Sequence, residues 1–179
     1  MTTSKQLAKT YADLSEADVI RIVDALDEYL TPTRKARIED ALGTRTRDVA
    51  LVLEDISSEH NASAVLRTAE AFGVLEVHVV PRDSDFKLSR KVSLGAHKWI
   101  DLRRHKSAAQ AYGELAARGY EVWASDVHGD TVSLEEIPTD GKVALVFGNE
   151  HSGLTPEAVA AAHGRFKIPM TGFVESLNI

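Results

Sequence analysis

VALVFGNEHSGLTPEAVAAAHGRFKIPMTGFVESLN, residues 143–178, is the stretch that decides the fold. Its apolar run Val143–Phe147 has the length and β-branched content of a buried strand. The run breaks at Gly148 into a polar loop, Gly148-Asn-Glu-His-Ser-Gly153. Thr155 followed by Pro156 then marks a helix start, with a hydroxyl to cap and a proline at the first helical position. A second short strand is expected over Arg165–Ile168, stopped by Pro169, and the chain loops on through Gly172 to Ser176-Leu177-Asn178. Two polar loops leaving strand ends are where open α/β sheets hold their ligands, so this region is the expected cofactor site.

Outward from there, strand and helix alternate. Val49–Leu53 (VALVL) is a second buried strand, followed by the polar loop Glu54–His60. Asn61–Phe72 is expected to be a helix. Its residues Ala62, Val65, Leu66, Ala69 and Phe72 form one apolar stripe, and Gly73 stops it. Strands are expected at Val77–Val80, Trp99–Leu102 and Tyr120–Ala124, and a helix over Ala108–Arg118. This alternation argues for an α/β fold, a mostly parallel sheet with helices on both faces. Residues 1–30 read as a helical extension, with Ser15 and Asp18 set as a capping box and Val19, Ile20, Val23, Leu26 and Leu30 at helical spacing. Pro32 is expected to end or redirect it, and Arg34–Leu42 to form another short helix. The domain reading is therefore a helical extension over 1–30 and one α/β domain over 31–179.

Composition narrows the chemistry. The chain has 179 residues and no cysteine, which excludes a disulfide framework and thiolate metal sites. Its seven histidines hold no His-x-x-x-His pair, so no metal is expected. No apolar run approaches a membrane span and the first residues lack a signal-peptide core; cytoplasm is the default compartment. The net charge of -6 speaks against nucleic acid as a partner, but the charge is uneven. Asp13, Glu16, Asp18, Asp24, Asp27 and Glu28 face only Arg21. From Arg82 to Lys106, by contrast, eight bases face Asp83, Asp85 and Asp101. Arg34, Lys35, Arg37, Arg45 and Arg47 make a second basic cluster. Such fields steer anions, or they are simply solvated faces. The dinucleotide fingerprint, the Walker loop and the esterase elbow are absent.

What remains is a set of polar residues near strand ends. Asn61 opens a helix after a strand loop, as a plain cap or as a site residue. Arg67 lies on that helix away from the middle of its apolar stripe, as a surface partner of Glu70 or as a free cation. Glu150 is a loop acid between two glycines, and Ser176 and Asn178 could cap a further helix.

Taken in order, Asn61–Gly73, Leu145–Glu157 and Ile168–Asn178 resemble the three sequence motifs of the SpoU/TrmH family of S-adenosyl-L-methionine-dependent RNA ribose 2′-O-methyltransferases, of the SPOUT class. The resemblance runs from about Leu30 to the end. Residues 31–52 and Ser63 look most like the tRNA branch, which methylates guanosine 18 of the D-loop; ribosomal RNA, or a non-catalytic RNA-binding or dimerisation module, are the alternatives. The resemblance implies a C-terminal trefoil knot and a homodimer whose active site draws on both subunits. It makes Arg67 the central catalytic residue, engaging phosphate and ribose. A guanidinium is nearly always charged, so stabilising an alkoxide suits it better than acting as a base. Asn61 would orient Arg67 or the ribose, with Glu150, Ser176 and Asn178 completing the polar side. Backbone groups near Leu145, Gly148, Ile168, Met170 and Leu177 would hold the cofactor. Arg34, Arg37, Arg90 and Lys91 would grip tRNA phosphates. Relatives continue past Ser-Leu-Asn into a capping helix; the chain ends at Ile179, which leaves the completeness of the knot open.

Overall fold

The computed structural model describes residues 14–81, 86–174 and 177–179. They fall into two units, divided between Thr44 and Arg45.

The first unit holds two helices. α1 (Glu16–Asp27) is capped by Ser15, whose hydroxyl accepts from the Asp18 N–H at 3.2 Å, as the Ser-x-x-Asp spacing predicts. Its apolar residues Val19, Ile20, Val23 and Leu26 are exposed. α1 ends at Asp27 and the chain is redirected into α2 (Pro32–Gly43), which starts two residues before the expected Arg34. Thr31 caps this helix by accepting from Arg34 N–H at 3.3 Å, and Pro32 is its first residue. A proline there loses no helical hydrogen bond and arrives with φ already set. Lys35 pairs with Asp27.

The second unit is built on seven strands: β1 (Thr46–Glu54), β2 (Val74–Val80), β3 (Asp101–Arg104), β4 (Tyr120–Ser125), β5 (Val132–Ser133), β6 (Lys142–Phe147) and β7 (Gly164–Lys167). Their order across the sheet is β3-β2-β1-β6-β4-β7-β5, and every pairing between these strands is parallel. The two VAL-V runs are direct neighbours, with Leu51 opposite Leu145 and Leu53 opposite Phe147. Between the strands lie α3 (Glu59–Ala71), α4 (Arg90–Ser93), α5 (Ala108–Ala117) and α6 (Pro156–Ala161).

Alternation along the strands supplies both faces of the sheet. Ala50, Val52, Val122, Ala144 and Val146 pack with Ala111, Tyr112 and Leu115 of α5 and Ala158 of α6. Leu53, Val77 and Val79 pack with Ala62, Leu66 and Ala69 of α3. Fully burying one side chain of the size of Leu66 stabilises by about 1.5–3 kcal/mol. Helices therefore cover both faces, as expected. A third cluster, Ile137, Val143 and Phe166 with Trp123, closes the β5 side. Gly164 is a contact requirement there, because a Cβ would sit 2.5 Å from the Trp123 ring.

Three local expectations need adjusting. α3 begins at Glu59, with Ser58 as the cap that accepts from Asn61 N–H at 3.3 Å, so Asn61 is not the cap. Trp99 leaves a 3-10 turn over Ala96–Lys98, and β3 starts only at Asp101. β5 and the 3-10 turn Leu134–Glu136 were not foreseen, since two residues carry no readable period.

Beneath β2 and β3 lies a buried ionic network. Glu76 is fully buried. It accepts from Arg118 (Nη2–Oε2 2.6 Å), Arg47 (3.1 Å) and His78 (2.8 Å), with Arg103 at 3.4 Å. Burial alone would raise its pKa, but hydrogen bonds from Arg118 and His78 and the charge of Arg103 outweigh that and hold it at about 2. His78 Nδ1 meets His105 Nε2 at 2.7 Å. Burial lowers the pKa of both histidines. Ligand atoms of Glu76, His78 and Glu114 lie within 4.8 Å of one another, but the lone pairs of Glu76 already face guanidinium and imidazole donors.

Candidate active site

The loop after β6 is shaped by its own atoms. A Cβ on Gly148 would fall 2.4 Å from the Gly153 carbonyl carbon and the Leu154 nitrogen, so the turn closes only on glycine. Asn149 and Gly153 exchange backbone hydrogen bonds at 3.1 and 2.9 Å. The Asn149 side chain accepts from the N–H groups of His151 (2.9 Å) and Ser152 (3.1 Å), and donates to the Asp55 carbonyl at 2.8 Å. The loop thus leaves β6 folded back on itself and tied to the end of β1. Thr155 caps α6, accepting from Ala158 N–H at 3.2 Å, with Pro156 next, as the sequence predicts.

This loop carries Glu150 to the start of α3. Asn61 Nδ2 donates to Glu150 Oε1 at 2.6 Å and to Asn178 Oδ1 at 3.2 Å, while Asn178 Nδ2 donates to Asn61 Oδ1 at 3.3 Å. Ser57 Oγ donates to the second Glu150 oxygen at 3.4 Å. Burial pushes the Glu150 pKa up, but the Asn61 and Ser57 hydrogen bonds outweigh it and the net shift is downward. Glu150 is therefore an ionised acceptor. Asn178 is exposed, which leaves its amide open to a ligand. Three residues separated by 89 and 117 positions meet at one point, where three strand-end segments converge.

Arg67 stands apart from that point. Six residues beyond Asn61, it lies roughly 9 Å further along the helix and on the other flank of the buried stripe. It is exposed and makes no hydrogen bond or ion pair among the described residues. Glu70, its alternative partner, instead receives Arg45 at 2.6 Å. Asn61 orients Glu150 and Asn178 rather than Arg67. Ser63, fully buried, donates to the Glu59 carbonyl at 2.6 Å and accepts from Ser89 N–H at 2.8 Å, stitching α3 to the segment before α4.

Of the other expected residues, Leu145 lies on β6, three residues before Gly148. Ile168 and Met170 follow β7, and Leu177 precedes Asn178. Ile168 and Leu177 expose apolar side chains at 41% and 60%, with Phe173 and Val174 exposed between them. Ser176 lies outside the described residues. Arg34 and Arg37 are exposed on α2 in the first unit; Lys91 is exposed on α4, where Arg90 is the first residue. Sequence reasoning missed Asn149, Ser57 and Glu54. The Gly-flanked loop was itself the signal for Asn149, whose side chain ties that loop to β1.

A parallel sheet with covered faces, and polar residues gathered where its strands end, is the architecture of an α/β enzyme that binds its ligands at the strand ends. Residues 48–179 match the SpoU rRNA methylase family, and the chain belongs to that family. It is 39% identical over 162 residues, 90% of this chain and 74% of the relative, to the tRNA (guanosine(18)-2′-O)-methyltransferase of Borreliella burgdorferi. Among solved structures, the A. aeolicus TrmH/SpoU tRNA modifying enzyme superposes with a TM-score of 0.75 at 31% identity. That alignment covers 82% of this chain and 75% of the other. An AdoMet-bound rRNA methyltransferase from Sinorhizobium meliloti matches with a TM-score of 0.66 at 27% identity, over 75% of this chain and 52% of that one.

Proposed function

We propose that this chain transfers a methyl group from S-adenosylmethionine to the ribose 2′-hydroxyl of guanosine 18 in the tRNA D-loop. The observation that carries the reading is the meeting of Asn61, Glu150 and Asn178 at the strand ends, beside the glycine-closed loop. The substrate class follows the tRNA (guanosine(18)-2′-O)-methyltransferases, which the chain matches at 31–40% identity over most of its length.

The residues present fit the cofactor. Ile168 and Leu177 offer exposed apolar surface suited to a purine. Bound there, the sulfonium supplies an electrophilic methyl group. The chain's own groups do the rest. Asn61 and Asn178 hold the ribose hydroxyls by amide hydrogen bonds, with Glu150 fixing the Asn61 amide. A carboxylate with a lowered pKa is a weak base, so Glu150 orients rather than abstracts a proton. Arg67, exposed and without an internal partner among the described residues, takes the phosphate or the developing alkoxide. Arg34 and Arg37 in the first unit, and Arg90 and Lys91 in the second, are the further candidates for phosphate contact. The chain works as a homodimer, supported by the apolar surface of Phe173, Val174 and Leu177 and by the distance along α3 between Arg67 and the Asn61 cluster. No helix among the described residues is long and apolar enough to cross a membrane, and cytoplasm is the compartment proposed.

The test is transfer of labelled methyl from S-adenosylmethionine to unmodified tRNA, with the product mapped. Ribose methylation at guanosine 18 supports the reading. Product on ribosomal RNA alone would move the substrate, and cofactor-independent tRNA binding without transfer would replace the enzyme with a binding module.

A further inference from the structure

We propose that Glu54 is a positioning residue that sets the Gly148–Gly153 loop, and through it the cofactor site; the cofactor half of this inference rests on the function proposed above. Glu54 ends β1, is 5% exposed, and spends both carboxylate oxygens on one residue of the opposite segment. Thr155 N–H donates to Oε2 and Thr155 Oγ donates to Oε1, each at 2.9 Å. The same hydroxyl accepts from Ala158 N–H at 3.2 Å, so the carboxylate, the cap and the first turn of α6 form one chain of hydrogen bonds.

The next residue completes the clamp. Asp55 has φ +54, a left-handed conformation uncommon outside glycine, and its carbonyl accepts from Asn149 Nδ2 at 2.8 Å. Its N–H is held by the Val80 carbonyl at 2.9 Å. Two consecutive residues of β1's exit therefore grip the loop at both ends, Asn149 and Thr155. On the α5 side Glu54 borders a cavity of about 310 Å³ that it shares with Pro81, Lys106, Ser107 and Thr155. A carboxylate suits two donors on separate oxygens, whereas an amide presents an N–H to one of them.

The loop so held carries Glu150 and Gly148. Losing the clamp should loosen it while leaving the β-sheet intact, and charge-assisted hydrogen bonds of this kind are worth enough to change affinity by about tenfold.

The experiment compares wild type with Glu54→Ala, Glu54→Gln, Thr155→Val and Thr155→Ser. Cofactor affinity is measured by calorimetry with S-adenosylmethionine, and amide hydrogen exchange over 149–155 in its absence. Expected are ~10-fold weaker cofactor binding and ~10-fold faster loop exchange in Glu54→Ala. Glu54→Gln should be intermediate and Thr155→Val similar to Glu54→Ala, with Thr155→Ser restored to wild type and α3 amides unchanged in all. Unchanged loop exchange in folded Glu54→Ala overturns the clamp, as does equal damage from Thr155→Ser and Thr155→Val. If Glu54→Ala fails to fold, the Thr155 pair decides by itself. A wild type that binds no cofactor removes the proposed function, while the exchange data still judge the clamp.

Discussion

Glu76, within β2, and Glu150, in the loop after β6, are both acids drawn out of water and kept ionised, by different means. Glu76 is saturated, with three arginines and a histidine within 3.4 Å of its two oxygens and no exposure. Glu150 is half-buried and held by neutral donors, the Asn61 amide and the Ser57 hydroxyl, and its partner Asn178 still faces solvent. A carboxylate whose every lone pair is spent on guanidinium groups can only brace the structure. One held by amides with capacity to spare can receive something else. The contrast separates a brace from a site without reference to any relative.

The largest effect is expected at Arg67, the exposed cation further along the helix that carries Asn61. Arg67→Ala should cut methyl transfer ~100-fold or more, because the cation acts on charge that develops in the transition state, and should leave cofactor affinity and melting temperature near wild type. Single-turnover rates beside calorimetry check this. Near-normal turnover would remove Arg67 from the mechanism.

The two acids should then part company on stability. Glu76→Ala leaves the buried His78 and three part-exposed arginines without their shared acceptor and should cost about 3 kcal/mol. Glu150→Ala should cost about 1 kcal/mol or less, and should instead lower activity. Urea unfolding of both variants decides, and equal losses would collapse the distinction drawn here.

The smallest effect is a gradual one with pH. Glu76 titrates at about 2 in the folded chain against an ordinary value of 4.5, so the unfolded state binds its proton first. The stability it adds is complete above about pH 4.5 and is lost as pH falls toward 2, up to about 3 kcal/mol in total. His78 and His105, both lowered from 6.5 by burial, act with the same sign and begin the loss earlier, below about pH 6.5. Melting temperature followed from pH 7 to 3 should fall in that order. A flat profile above pH 5 would show that the histidines contribute nothing.

The same contrast shows what a linear reading of this chain could reach. The apolar runs of β1 and β6, the α3 stripe and the Thr155-Pro156 helix start are local patterns, and each folds as its spacing requires. Asn61 and Glu150 were legible as residue types near strand ends. That Asn61 faces Glu150 and Asn178 is set by where β6 enters the sheet. No local pattern carries that information. The Glu76 network was invisible for the same reason. Arg118 lies 42 positions away, and nothing near Glu76 in sequence announces that β2 will be buried over charged side chains.

The position of β6 also has a temporal side. β1 is finished at Glu54, yet the strand that covers its second edge, and joins it to β4, begins at Lys142. As the chain emerges from the ribosome at about 5–20 residues per second, one edge of the strand that carries the apolar run Val49–Leu53 waits several seconds for its neighbour. During that interval β1 has the backbone donors and acceptors that another nascent chain could pair with. Until β6 is in place, β3-β2-β1 and β4 share no strand pairing, and β6 is the strand that joins them.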